Sequence, residues 1–170
     1  MKIRKQHIIR LLLVFLMVAG APRWGSVACA QSLTGSGTAD DPYIINSATN
    51  WSTFVSDISG GYHSEGKFVK LTNNIKLTNK YYSSGYFSGT FDGDGHTINV
   101  TIEREFSLFD KVENATIKNL RVTGSYTSPQ NEGGIIFTSE GNTTVENCIV
   151  SATINAKWGC GGIVYRLNSS

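Results

Sequence analysis

The chain has 170 residues, 40% of them hydrophobic, and a formal net charge of +2, enough for one domain with a packed core. That sign misleads: Lys2, Arg4, Lys5, Arg10 and Arg23 precede every acidic residue, and the remainder carries 10 basic against 13 acidic side chains, a formal −3. A weakly acidic domain lacks the electrostatic footprint of a nucleic-acid binder, so that partner class is excluded.

Residues 1–30 read as a secretory signal peptide. A basic start from Lys2 to Arg10 precedes an apolar stretch from Leu11 to Ala19, and Ala28-Cys29-Ala30 is an A-x-A cleavage site before Gln31. The apolar run falls short of the roughly 20 residues that a membrane span needs. The rival reading is a lipoprotein signal with Cys29 acylated, against which Ser26 is an unusual residue at its position. No later segment has the composition of a transmembrane helix.

Residues 31–85 are expected to hold a flexible lead-in, an N-terminal cap and a first coil. Gln31 to Asp40 is polar and rich in Gly, Ser and Thr. A short strand follows at Tyr43-Ile44-Ile45. Ser47 is placed to cap a helix from Ala48 to Ser59, with Trp51, Phe54, Val55 and Ile58 at helical spacing and Gly60-Gly61 as its stop. Such a helix suits the open end of a stack of strands, which must be covered. Phe68-Val69-Lys70-Leu71 and Ile75-Lys76-Leu77 read as strands joined by an Asn73-Asn74 turn. Tyr81, Tyr82, Tyr86 and Phe87 form an aromatic cluster that either packs under the cap or stacks on a sugar.

Residues 86–170 are expected to be solenoid repeats. In Phe91-Asp92-Gly93-Asp94-Gly95-His96-Thr97-Ile98 the Asp-Gly pairs provide the positive φ of a tight turn, and Ile98, Val100 and Ile102 alternate into a strand. Asp92 and Asp94 match the first and third positions of a calcium loop, but His96 and Thr97 occupy the fifth and sixth, where an oxygen ligand and a glycine belong. Calcium is therefore not expected, nor any other cofactor. Glu103-Arg104-Glu105 reads as a solvated turn.

The strongest signal is a repeat at an offset of 28 residues. Thr116-Ile117-Lys118-Asn119-Leu120-Arg121-Val122 is answered by Thr144-Val145-Glu146-Asn147-Cys148-Ile149-Val150, and Gly133-Gly134-Ile135-Ile136-Phe137 by Gly161-Gly162-Ile163-Val164-Tyr165. A period of about 20–50 residues marks stacked supersecondary units. The unit is β-branched and Gly-rich, without helical periodicity. Asn119 and Asn147 interrupt the alternation, as left-handed residues between two short strands would. The expected fold is all-β, a parallel β-helix with a coil of about 28 residues, neighbouring coils about 4.8 Å apart and a short N-terminal capping helix. Ile117 should stack on Val145, Leu120 on Cys148, Val122 on Val150, and Ile135 on Ile163. Ser128-Pro129-Gln130-Asn131 and Ala156-Lys157-Trp158 should be equivalent loops at one corner.

The Gly-Gly-Ile-Ile-Phe and Asn-x-Thr blocks, with the upstream Phe91 to Ile98 motif, resemble the GLUG-motif repeats of bacterial surface proteins, some of them large immunoglobulin A proteases. Residues 35–58 and 65–78 are similar to the cap that precedes such repeats, so the resemblance covers most of the chain after residue 30. Tyr165 departs from the family pattern, which often has a final Gly there, and Ser107-Leu108-Phe109-Asp110 is a degenerate copy. The resemblance implies a right-handed parallel β-helix of the pectin-lyase-like kind on a secreted or surface protein, with no catalysis assigned to the repeat.

Chemistry is sparse. Cys148 falls on the core column of Leu120 and Cys160 beside a turn, so unpaired thiols are expected rather than a disulfide. No H-E-x-x-H occurs. After residue 30 the histidines are His63 and His96, neither with a local pattern for nucleophilic work. Asp110, Glu113, Lys118, Arg121 and Glu146 are the charges that a polysaccharide lyase or hydrolase would need to converge, and they read as outward side chains. The aromatic residues assigned to ligand contact are Trp158, Tyr126, Tyr81 and Tyr82. The function expected is non-catalytic: adhesion, or interaction with a glycan or a host or cell-surface protein. The alternatives are a carbohydrate-active β-helix enzyme and a spacer in a larger surface protease-like protein. The last coil shows no cap in the sequence. Either a longer chain or end-to-end self-association is expected to cover it.

Overall fold

The structure, a computed structural model, describes residues 33–59, 64–78, 85–103 and 107–168. Residues 1–30, where a signal peptide is expected, and Gly60-Gly61, His63, Tyr81, Tyr82, Arg104 and Glu105 lie outside them.

Alternating β-branched residues produce short strands, and each coil lays three of them around one core. The first face is a five-stranded sheet of β1 (Tyr43–Ile45), β2 (Phe68–Leu71), β5 (Thr90–Asp92), β8 (Thr116–Lys118) and β12 (Thr144–Glu146). The second holds β3 (Ile75–Leu77), β6 (Thr97–Glu103), β9 (Arg121–Ser128) and β13 (Ile149–Ala156). The third holds β4 (Tyr86–Phe87), β7 (Phe109–Glu113), β11 (Ile136–Glu140) and β15 (Val164–Asn168). A two-stranded arm, β10 (Asn131–Gly133) on β14 (Gly159–Gly161), lies between the second and third faces of the last coils. All of these strand pairs are parallel, so the described chain is a parallel β-solenoid of about four turns.

The expected ladders are present. Val69, Phe91, Ile117 and Val145 stack inward on the first face, and Ile75, Ile98, Val122 and Val150 on the second. Phe109, Ile136 and Val164 form the matching column on the third, so Ser107 to Asp110 takes the place of Gly134 to Phe137 one coil earlier. Most of these side chains are fully buried in the first three coils.

The uniform 28-residue coil needs correction. The offset holds between the last two coils, where Ile117 pairs with Val145 and Val122 with Val150. One coil earlier, Ile98 pairs with Val122 at an offset of 24. The four added residues lie at corners. From Glu103 to Phe109 is six positions, but nine separate their partners Thr127 and Ile136, and the three extra residues form the arm. From Lys111 to Thr116 is five positions, against six from Thr138 to Thr144. Corners lengthen while the ladders keep their register.

The cap is where the sequence places it. Helix α1 (Ala48–Ser59) begins at Ser47, whose hydroxyl accepts from Asn50 N–H (3.2 Å) and whose carbonyl accepts from Trp51 N–H (3.1 Å). Trp51 is fully buried among Phe54, Phe91 and Phe109 at ring separations of 5.5–5.8 Å, mostly edge to face. Its indole Nε1 has no hydrogen-bond partner, so the helix is held by apolar and ring contacts. The expected flexible lead-in is instead ordered from Leu33 onward. Leu33 is buried, Thr34 bridges Ile44, and the Asp41 carbonyl gathers the N–H groups of Ser36, Gly37 and Thr38.

Candidate functional site

The corner between the third and first faces carries a cavity of about 590 Å³ crossing three coils. Glu65, Gly66 and Phe68 line it from one coil, Ser88, Gly89 and Thr90 from the next, and Glu113, Asn114 and Thr116 from the third. The local sequence explains the concavity. Asn114 has a left-handed φ of 51°, which Asn tolerates better than other non-glycine residues. Gly89 sits so tightly that a Cβ there would lie 2.4 Å from the Lys67 carbonyl oxygen and 2.6 Å from that of Ser64. Ser64 Oγ accepts from Ser88 N–H (2.8 Å) and donates to the Tyr86 carbonyl (3.1 Å), which fixes the middle of the wall. The charges on the described lining are the exposed carboxylates of Glu65 and Glu113. Hydroxyls, an amide and one aromatic ring complete it, a donor and acceptor set suited to a polyhydroxylated ligand.

The opposite end of the first face is closed by an Asp/Asn ladder. Asp92 Oδ1 accepts from Asn119 Nδ2 (2.9 Å) and from Asp94 N–H (2.9 Å), and Lys118 Nζ lies 3.7 Å from Oδ2. Asp94 Oδ2 pairs with Lys70 Nζ at 3.1 Å. Partial burial alone would raise the Asp92 carboxyl, but these hydrogen bonds and the Lys118 and Lys70 charges hold it below the ordinary carboxylate range. Both aspartates are thus committed to protein partners. Among the described residues no group of three or more His, Cys, Asp or Glu is arranged to hold a metal.

The aromatic residues assigned to ligand contact part ways. Trp158 stands at the arm's tip, 73% exposed, with Lys157 Nζ 5.2 Å from its ring centre. Tyr126 offers no ligand surface. It is buried in the core, in phase with Val122, and its hydroxyl donates to the Gly134 carbonyl at 2.8 Å. Tyr81 and Tyr82 lie outside the described residues. A further aromatic pair was not singled out in the sequence: Phe137 and Tyr165 stack at 5.2 Å on the third face, with Arg166 over Tyr165 at 5.8 Å. Their signal was the repeat itself, which places rings at equivalent positions of successive coils.

The charged candidates do not gather at one point. Lys118 and Glu146 follow Asp92 in one outward column, and Arg121 is exposed at the start of β9. Glu113 faces the groove and Asp110 lies in β7, where burial raises its carboxyl against the lowering effect of Lys111. Cys148 and Cys160 are free thiols. Burial, with a smaller push from Glu146, raises the Cys148 thiol against a backbone hydrogen bond from Leu120, and so makes it a poor nucleophile. Among the described residues no helix is long and apolar enough to cross a membrane.

Comparison with known proteins adds one relative. The chain is 30% identical over 161 residues to halomucin of Haloquadratum walsbyi, in an alignment covering 80% of this chain. It spans 2% of the length of that protein. No family model matches the chain. No solved structure matches it.

Proposed function

We propose that this chain is an exported, surface-exposed repeat protein whose solenoid binds glycan without catalysis. The observation that carries the reading is the three-coil groove, where hydroxyls, Asn114 and Phe68 line an open cavity of about 590 Å³. Aromatic faces beside polar donors are the usual means of holding a sugar ring. Exposed Trp158 provides a second face for stacking. The basic, apolar and A-x-A blocks of residues 1–30 support export, and the GLUG-like blocks and the similarity to a segment of halomucin are in keeping with a surface repeat protein.

A glycan array probed with the full chain tests this reading. Binding to a defined set of glycans that Glu113→Ala weakens and Arg121→Ala leaves unchanged is the expected outcome. Failure to bind any glycan overturns it. Glu65 and Glu113 also favour a second reading, because two carboxylates on one groove are what a glycoside hydrolase requires. New reducing ends released from a bound polysaccharide would make the chain that enzyme.

A further inference from the structure

Charge is arranged differently at the two ends of the first face. Near Asp92 each aspartate is matched by a lysine, with Lys118 Nζ 3.7 Å from Asp92 and Lys70 Nζ 3.1 Å from Asp94. At the groove end Glu65 and Glu113 are exposed, and among the described residues neither has an ion-pair partner. Lys111 lies over the Tyr86 ring at 5.1 Å, and Lys67 does not line the cavity. Glu140 pairs with Glu113 on the next rung, and its Oε1 accepts from the Asn168 amide at 3.0 Å, which leaves its charge uncompensated. Carboxylates on neighbouring rungs repel one another, a cost that a bound cation removes.

The rest of the lining suits an extended, hydroxylated molecule. Phe68, Thr90 and Thr116 pair across successive coils and form one outward column along the solenoid axis. Asn114 Oδ1 accepts from Asn142 N–H (3.0 Å), so the wall holds the amide oxygen and the Nδ2 protons are left for a ligand. Glu65 and Glu113 belong to the first and third of the lining coils, about 10 Å apart along the axis at the usual strand spacing. One sugar ring does not span that separation, whereas an oligosaccharide does.

We propose that the groove takes an oligomer of amino sugars whose amino groups are free, lying along the solenoid axis with its ammonium groups on Glu65 and Glu113. The inference rests on the glycan reading above and adds the charge of the ligand to it. An ammonium group meets each carboxylate as a charge-assisted hydrogen bond, and two such contacts per ligand add their modest individual strengths. Acetylation of the amines removes that charge and both pairings. A polyuronate or a sulfated glycan would bring its own anions against Glu65, Glu113 and Glu140, and like charges brought together discriminate against a ligand.

Isothermal titration of the full chain with tetramers of glucosamine, N-acetylglucosamine and galacturonate tests the proposal, in a mildly acidic buffer that keeps the amines charged. The glucosamine tetramer should bind about tenfold more tightly than its acetylated form, and the galacturonate tetramer should not bind. Glu65→Gln and Glu113→Gln should each weaken the glucosamine tetramer about threefold, and together about tenfold. Glu146→Gln makes the same charge change at the other end of the face and should leave the affinity unchanged. All three side chains are exposed, so circular dichroism should be unchanged. Equal affinity for the two hexosamine tetramers overturns the proposal and leaves the glycan reading standing. Binding of the galacturonate tetramer, with or without calcium, does the same. Equal weakening by Glu146→Gln overturns it too, since the attraction would then come from the overall acidic charge. Failure of the glucosamine tetramer to bind overturns this inference alone if the glycan array finds another ligand, and both readings if it finds none.

Discussion

Asn147 donates from its side-chain amide to Asn119 Oδ1 at 2.7 Å, and both residues sit in the left-handed region, at φ 49° and 54°. One side chain therefore does two things at each coil: it permits the corner and it ties that corner to the next. Asn119 in turn donates to Asp92, so the ladder runs through three coils.

Replacing Asn119 separates these roles. Asn119→Gly keeps the left-handed turn and loses the side-chain hydrogen bonds, worth about 1 kcal/mol each. Asn119→Ala loses them too and adds about 1 kcal/mol or more for holding an alanine at positive φ. Urea denaturation should rank wild type above Gly and Gly above Ala. Equal losses for the two variants would show that the backbone conformation costs nothing here.

Neighbouring residues on opposite sides of the wall should respond very differently. Leu120 is buried beside Cys148, while Arg121 is exposed. Leu120→Asp should cost about 3–5 kcal/mol, because it buries an unpaired charge. Arg121→Asp should stay within about 0.5 kcal/mol. Thermal melts that place the two variants together would refute the register.

Two aspartates should give opposite pH signatures. The Asp92 carboxyl is depressed in the folded state, so its stabilisation is present above the ordinary value of 3.8 and is lost as pH falls through the lower folded value. Asp92→Asn should therefore destabilise at neutral pH, with the difference shrinking in acid. The Asp110 carboxyl is raised by burial, so the folded state disfavours its charge, and that penalty disappears as pH falls through the raised folded value towards 3.8. Asp110→Asn should raise the melting temperature at neutral pH and converge with wild type in acid. Both groups are substantially solvated, so the effects should be modest. Melting curves at several pH values in which both substitutions shift stability in the same direction would contradict these assignments.

The cap makes the fourth test. Trp51 fills the space between α1 and the rings of Phe91 and Phe109. Trp51→Ala should cost about 3–5 kcal/mol. Removing Ala48–Ser59 altogether should expose the end of the core and make the chain associate. Light scattering that finds the deleted chain monomeric and folded would show that the first coil closes without the helix.

Much of this architecture is legible in the residues. The 28-residue repeat carries the stacking, the Asn positions carry the left-handed corners, and Ser47 with the Trp51 to Ile58 spacing carries the helix at its observed bounds. Tyr126 was legible too, since it shares parity with Val122, but its polar tip disguised an inward position until its hydroxyl was seen to reach Gly134. The groove was not legible. Its walls come from three corners at unequal sequence spacings, 65, 88 and 113 for the first residue of each group, so no fixed period points to it. The coil length misled for the same reason, because corners change length without leaving a mark on the alternation of the strands.

The arm shows what that freedom permits. Three residues enter each late coil between the second and third faces, and not one inward position changes phase. The scaffold and what it displays are therefore under separate control: a ladder column restricts its members to a shape, whereas a corner accepts new length and new chemistry. Trp158 occupies such a corner, with Gln130 at the same place one coil earlier. A change in what the molecule touches at that position requires no change in how it folds.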